Sequence, residues 1–154
     1  MTGPKQWAYV CPVVTARPIL LVEDNEDDVA LISRVIETSG IGNPLQFVGT
    51  VAEAKLILGA ATQDSVPALL LLDISLPDGS GLSLLEWVRS QPPPQRDISA
   101  IVVTGARTRS HEAHANRLGA ILFLEKPAGP DLLAAAILHF GLRHTAENGS
   151  SIEL

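Results

Sequence analysis

The sequence predicts a doubly wound α/β domain, in which five parallel strands form a central sheet and five helices cover both faces. Two observations lead to this fold. Short apolar runs that suit buried parallel strands recur five times along the chain, and helix-like segments separate them. Because right-handed crossovers of this length allow few other arrangements, the alternation favours one parallel sheet.

The predicted strands are short and almost wholly apolar, which is typical of strands that are buried on both faces. They span residues 19–22, 45–48, 68–72, 100–103 and 120–124. The common order for five such strands is 2-1-3-4-5, the flavodoxin-like arrangement, and it reverses direction between strands 1 and 3.

Helical periodicity predicts five helices between and after these strands. They span residues 27–39, 51–58, 82–89, 111–118 and 131–140. Gly40, Gly119 and Gly141 stand where helices should end. The fourth helix is polar and poor in large apolar residues, so we predict that it is short or mobile and carries the partner specificity or the switch.

The chain has 154 residues, of which 46% are hydrophobic, and this is enough for the core of one domain. We predict a domain over residues 17–142, an N-terminal extension over 1–16 and a C-terminal tail over 143–154. The extension contains a short apolar stretch that weakly resembles a signal sequence, but Pro12 interrupts it.

Composition argues against several classes of function. A net charge of -6 provides no positive field to attract nucleic acid. Cys11 is the single cysteine, so the chain has no internal disulfide and no cysteine-based zinc site. No segment approaches the length of a membrane span. We therefore expect a cytoplasmic protein that binds neither nucleic acid nor membrane.

Polar side chains that suit chemistry follow four of the predicted strands. In chain order they are Glu23 and Asp24, Asp73, Thr104 and Gly105, and Lys126. In the predicted strand order these four strands are neighbours, about 5 Å apart, and ligands bind outside their carboxyl ends. We therefore expect these residues to converge in one crevice.

Glu23, Asp24 and Asp73 would repel one another at such a short distance unless one is protonated or a cation neutralises them. A hard divalent ion is the simplest solution, and Mg²⁺ commonly binds one or two protein carboxylates together with a phosphate oxygen. Mn²⁺ could take its place. The sequence thus predicts a Mg²⁺ site.

Asp73 is the predicted phosphoryl acceptor. Aspartate can form an acyl phosphate, whose lability in water suits a transient signal. A phosphoryl group at Asp73 would also meet the ion, the Thr104 hydroxyl with the Gly105 amide, and the Lys126 ammonium. Catalysis at such a site consists mostly of positioning and charge neutralisation.

Four segments resemble the receiver domain of two-component response regulators. Residues 19–25 (ILLVEDN) are similar to the family's first strand and acidic pair, and residues 72–81 (LDISLPDGSG) to its phosphoacceptor loop. Residues 103–105 (VTG) and 119–127 (GAILFLEKP) resemble its hydroxyl and lysine segments. The resemblance covers roughly residues 17 to 142.

The resemblance implies that Asp24 and Asp73 bind Mg²⁺ directly, that the Ser75 backbone carbonyl is a third ligand, and that Glu23 acts through water. Thr104 and Lys126 would bind the phosphoryl oxygens. Phe123 would change rotamer when Thr104 moves, and the peptide between Lys126 and Pro127 would be cis. These roles belong to the family and are carried over onto the matching positions.

The family also implies partners. A histidine kinase or a histidine phosphotransfer protein would supply the phosphoryl group, and the domain would catalyse only its own phosphorylation and dephosphorylation. Because only a short tail follows residue 142, we expect a stand-alone receiver whose output is a partner protein or a phosphorelay. The family's usual contact face, for partners or a homodimer, comprises the fourth helix, fifth strand and fifth helix.

Other interpretations of single features stay open. A phosphohydrolase with an aspartyl-phosphate intermediate would need a second acid two residues after Asp73, where Ser75 stands. An unphosphorylated binding module of the same fold is a further alternative. His111 and His114 lie one helical turn apart but lack an acidic third ligand, and Asp27 with Asp28 is interpreted as a solvated helix start.

Overall fold

The computed structural model describes residues 16–105 and 108–142, with the backbone alone at positions 140 and 141. Nearly all of the predicted N-terminal extension, and the whole predicted tail over 143–154, lie outside the described residues. Among the described helices, none combines the length and the apolar character that crossing a bilayer requires.

Five parallel strands form the central sheet, and a short antiparallel hairpin follows the third of them. The sheet strands are β1 (Ile19–Val22), β2 (Leu45–Val48), β3 (Leu69–Leu72), β6 (Ala100–Thr104) and β7 (Leu122–Glu125), and the hairpin strands are β4 (Ser75–Leu76) and β5 (Gly79–Ser80). The sheet order is β2-β1-β3-β6-β7. The predicted order 2-1-3-4-5 is thereby confirmed. The fourth and fifth sheet strands are numbered β6 and β7 only because the hairpin strands β4 and β5 precede them in the chain.

Five α-helices connect or follow the strands. They are α1 (Glu26–Thr38), α2 (Val51–Ala60), α3 (Gly81–Arg89), α4 (Arg109–Arg117) and α5 (Pro130–Ala135). The first four agree with the predicted helices to within two residues at each end. The fifth differs, because it ends at Ala135 and continues as a π-helical segment over Ala136–Leu142.

Alternation along the strands separates two apolar layers. In β1, Leu20 and Val22 face the layer with α2 and α3, whereas Ile19 and Leu21 face the layer with α1 and α5. All four are buried, as continuous apolar runs in a parallel sheet should be. The sheet is therefore covered on both faces, and the carboxyl ends of its strands are left open at one edge.

Helix α4 is weakly buried, since Ala115 is the one buried residue among its nine. Its C-terminal end is held by the Arg89 guanidinium, which donates to the carbonyl oxygens of Leu118 at 2.7 Å and Ile98 at 2.7 Å. Helix α4 is thus fastened mainly at the end remote from the open edge of the sheet.

Candidate functional site

A cleft of about 670 Å³ lies at the carboxyl ends of β1, β3, β6 and β7. Its lining includes all six residues that the sequence placed after strand ends: Glu23, Asp24, Asp73, Thr104, Gly105 and Lys126. Ser75 also lines it. The predicted convergence of these side chains follows from the strand order, which brings four strand ends together.

Backbone hydrogen bonds continue past the strand ends and hold the site residues in place. The Glu23 N–H donates to Val48 O at 2.9 Å, and the Asp73 N–H donates to Val22 O at 3.1 Å. On the other side, the Lys126 N–H donates to Thr104 O at 2.9 Å. The site therefore has a rigid base, although its residues come from four separate segments.

Asp73 is buried, and its two carboxylate oxygens have different partners. Oδ1 accepts hydrogen bonds from the N–H of Ile74 at 2.7 Å and from the N–H of Ser75 at 3.4 Å. Oδ2 lies 3.1 Å from Lys126 Nζ. One oxygen is thus fixed by the backbone, while the other faces the cleft beside a cation.

Lys126 pairs with three carboxylates. Its Nζ lies 2.7 Å from Glu23 Oε1, 2.7 Å from Asp28 Oδ2 and 3.1 Å from Asp73 Oδ2. Burial lowers the pKa of the ammonium, but the hydrogen bonds to Asp28, Glu23 and Asp73 outweigh this effect and raise the pKa above its ordinary value. Lys126 therefore remains charged.

Glu23 is nearly inaccessible to solvent, at 3% exposure. Burial raises the pKa of its carboxyl group, and the negative charge of Asp73 adds to this effect. Hydrogen bonds from Lys126 and from the N–H of Asn25, at 3.1 Å to Oε2, act in the opposite direction. Burial is the largest of these effects, and the hydrogen bonds offset it only in part.

Oxygen ligands for a hard cation are present in this cleft. Glu23, Asp24 and Asp73 each offer one carboxylate oxygen, and these oxygens lie within 4.8 Å of one another. Such a set of hard oxygen ligands suits Mg²⁺ or Mn²⁺. Within 16–105 and 108–142, this is the one group of three or more side chains that could bind a single metal ion. His111 and His114 are not part of it.

Thr104 is fully buried at the end of β6, and Gly105 is exposed beside it. A Cβ atom at Gly105 would meet no atom within 4 Å, so the glycine leaves open space in the cleft. Thr104 lies two residues after Val102 in β6, so both side chains point to the same face of the sheet, toward the layer with α2 and α3. Phe123 is paired with Val102 in the register and is partly buried against the same layer.

Phe123 and Pro127 are the predicted residues that do not line this cleft. Phe123 lies behind it, on the face that also carries Thr104. The peptide between Lys126 and Pro127 is cis.

Asp28 is a site residue that the sequence analysis missed. The interpretation of Asp27 and Asp28 as a solvated helix start was wrong for Asp28, whose Oδ2 bonds Lys126 Nζ. A signal was present, because Asp28 is four residues before Ile32 and therefore on the buried face of α1. Asp27 lies on the exposed side of the same turn.

Comparison with known proteins agrees with this geometry. The family model described as the response regulator receiver domain matches residues 19–138. Over 125 residues the chain is 32% identical to the photosynthetic apparatus regulatory protein RegA of Cereibacter sphaeroides, covering 81% of this chain and 63% of RegA. The chain thus spans less than two thirds of RegA.

A shorter relative is covered more fully. The polar-differentiation response regulator DivK of Brucella ovis is 31% identical over 111 residues, which are 72% of this chain and 85% of DivK. Among solved structures, the phosphorylated cyanobacterial phytochrome response regulator RcpA is 26% identical with a TM-score of 0.69, covering 80% of this chain and 89% of RcpA. The chain belongs to the response regulator receiver domains of two-component systems.

Proposed function

We propose that this domain accepts a phosphoryl group on Asp73 from a histidine kinase or a histidine phosphotransfer protein and signals through a change in its surface. One observation carries the proposal. The carboxylate of Asp73 lies 3.1 Å from the Lys126 ammonium, and it offers an oxygen within 4.8 Å of carboxylate oxygens of Glu23 and Asp24. The site of action is the cytoplasm, where a kinase has its ATP.

Asp73 Oδ2 is the proposed nucleophile, since Oδ1 is occupied by the N–H of Ile74. Oδ2 attacks phosphorus as the phosphorus–nitrogen bond of the donor phosphohistidine breaks, and the imidazole departs. Water later attacks the same phosphorus, the bond to Asp73 breaks, and inorganic phosphate leaves. The domain therefore catalyses only its own phosphorylation and dephosphorylation, as a switch domain rather than a classical enzyme.

Asp24 and Asp73 would hold Mg²⁺ or Mn²⁺ directly, with the Ser75 carbonyl as a third ligand and Glu23 acting through water. The ion would supply positive charge beside the phosphoryl oxygens. The proposal is supported by the short distances among the three carboxylate oxygens and by the exposure of Asp24 and Ser75 at the mouth of the cleft.

Thr104, Gly105 and Lys126 are the proposed phosphoryl ligands. The Lys126 ammonium already lies beside Asp73, so a phosphoryl oxygen on Oδ2 would come within its reach. The open space at Gly105 leaves room for the group next to the Thr104 hydroxyl. Charge-assisted hydrogen bonds of this kind are stronger than neutral ones and stabilise the transferred charge.

The proposed switch runs from Thr104 to Phe123. Both side chains project from neighbouring strands toward the layer that includes α4, so a shift of Thr104 toward phosphate changes the space beside Phe123. The proposed output surface is formed by α4, β7 and α5, and its occupant is a downstream protein or a second copy of the chain. The weak burial of α4 favours it as the part that moves.

The test is incubation with Mg²⁺ and acetyl phosphate, followed by intact-protein mass spectrometry. We expect one added phosphoryl group, which is lost on treatment with hydroxylamine and is not formed when EDTA is present. Asp73→Asn should add none, whereas Asp64→Asn, an exposed aspartate outside the cleft, should behave like the wild type. Uptake that persists in Asp73→Asn would refute the assignment.

A further inference from the structure

Asp28 makes one of the two shortest contacts of Lys126. Its Oδ2 lies 2.7 Å from Lys126 Nζ, compared with 3.1 Å for Asp73 Oδ2. The Asp28 side chain is 29% exposed and the Lys126 side chain 18% exposed, so the ion pair is partly shielded from solvent. Such shielding makes the pair less susceptible to screening than a surface pair.

Helix capping does not account for the direction of this side chain. The N-terminus of α1 is capped by Asn25, whose Oδ1 accepts from the N–H of Asp28 at 3.0 Å. The carboxylate of Asp28 is therefore free of the helix backbone and reaches across to a residue 98 positions away. Asp27, in the same first turn, has no such contact and stays exposed.

Asp28 also stands apart from the proposed metal ligands. The oxygens close enough to share one ion come from Glu23, Asp24 and Asp73, and Asp28 is not among them. Three carboxylates contact the Lys126 ammonium, and two of them, Glu23 and Asp73, must therefore turn toward a bound cation or a phosphoryl group. Asp28 alone is left to keep the ammonium in place.

We infer that Asp28 is a positioning residue, which holds the Lys126 ammonium at the mouth of the cleft while the partners Glu23 and Asp73 are engaged elsewhere. This inference rests on the proposed function of Asp73. A lysine ammonium has three hydrogen-bond donors, and the structure gives each a carboxylate. The arriving phosphoryl oxygen takes the donor that Asp73 holds, and the bond to Asp28 fixes the direction of that donor.

Phosphorylation kinetics of Asp28→Asn test the inference, with Asp27→Asn as the matched control. Both variants remove one negative charge from the first turn of α1 and lose the same favourable interaction with the helix dipole. We expect Asp28→Asn to lower the phosphorylation rate constant at saturating acetyl phosphate about threefold to tenfold, since a charge-assisted hydrogen bond becomes a neutral one. The concentration of donor at half-maximal rate should stay within about twofold of the wild type. Rates are compared at saturating Mg²⁺, because removing a negative charge from the cleft also weakens binding of the ion.

A double-mutant cycle with Lys126→Met separates positioning from a general charge effect. If Asp28 acts through Lys126, Asp28→Asn should change the rate no further in the Lys126→Met background. The inference is overturned if Asp28→Asn behaves like Asp27→Asn, if it speeds phosphorylation, or if the loss disappears at saturating Mg²⁺. A wild-type protein that takes up no phosphoryl group would overturn the proposed function and this inference together.

Discussion

Gly81 is the position where adding a single methyl group should disturb the phosphoacceptor most directly. This glycine is the first residue of α3, and its N–H donates to Ile74 O at 2.8 Å. A Cβ atom at this position would overlap the carbonyl oxygen of Asp73 and would lie 2.9 Å from its carbonyl carbon and 2.7 Å from Leu72 Cδ1. The obstruction is backbone, which cannot rotate away.

Gly81→Ala should therefore lower the free energy of unfolding by about 3 kcal/mol, the upper part of the usual range for overpacking. With a urea m value of about 2 kcal/mol/M, the unfolding midpoint should fall by about 1.5 M. The matched control is Gly59→Ala in the last turn of α2, where the nearest atom to the added Cβ is Trp87 Cη2 at 4.0 Å. That change should raise stability by about 0.5–1 kcal/mol, because alanine loses less backbone entropy on folding.

Urea unfolding followed by circular dichroism gives both midpoints, and mass spectrometry with acetyl phosphate gives phosphoryl uptake. Gly81→Ala should reduce uptake under folding conditions, since the Asp73 backbone must shift to admit the methyl group. The reasoning fails if Gly81→Ala unfolds at the same urea concentration as Gly59→Ala, or if its uptake rate equals that of the wild type.

Three further predictions concern charged side chains around the sheet. Arg89→Met should lower the free energy of unfolding by about 3 kcal/mol in urea titrations, because the carbonyls of Leu118 and Ile98 lose a charged donor; an unchanged midpoint would contradict this anchoring role. The N–H groups of Val51 and Ala52 hold the pKa of Asp78 below its ordinary value, so Asp78→Asn should be less stable than the wild type at pH 7. The difference in unfolding free energy should close only as the pH falls through that lowered pKa, and a difference that widens in acid would contradict this prediction. Lys126→Met should tighten Mg²⁺ binding about threefold to tenfold in calorimetric titrations, since one positive charge leaves the acidic cluster; weaker binding would refute it.

The strands and their order were predictable because the decisive signals are local. The apolar runs that became β1 and β3 alternate across two buried layers, and 2-1-3-4-5 is the common order for five parallel strands with short crossovers. Polar residues that directly follow these runs, such as Asp73, must lie at the carboxyl edge. Their convergence follows from topology without any knowledge of side-chain contacts.

The contacts that the sequence did not reveal join residues far apart along the chain. Asp78 lies in the hairpin after β3, yet its carboxylate accepts from the N–H groups of Val51 and Ala52, at 2.8 and 3.0 Å, and so caps α2. In the sequence it is only one residue of a Pro-Asp-Gly turn. Asp28 was missed for the same reason. Periodicity identifies the face on which a charged side chain lies, but it cannot name a partner that another segment supplies.

The charge balance of the cleft indicates the order in which its ligands arrive. The carboxyl groups of Glu23, Asp24, Asp28 and Asp73 outnumber the one ammonium group, that of Lys126, by three. A dianionic phosphoryl group approaching this cleft would be repelled, and little solvent reaches the buried pair Glu23 and Asp73 to screen it. A divalent cation bound first removes most of the excess and leaves the Lys126 ammonium available to the incoming oxygens. The donor concentration at half-maximal uptake should therefore fall as the Mg²⁺ concentration is raised, and uptake in EDTA that equals uptake in Mg²⁺ would contradict this order.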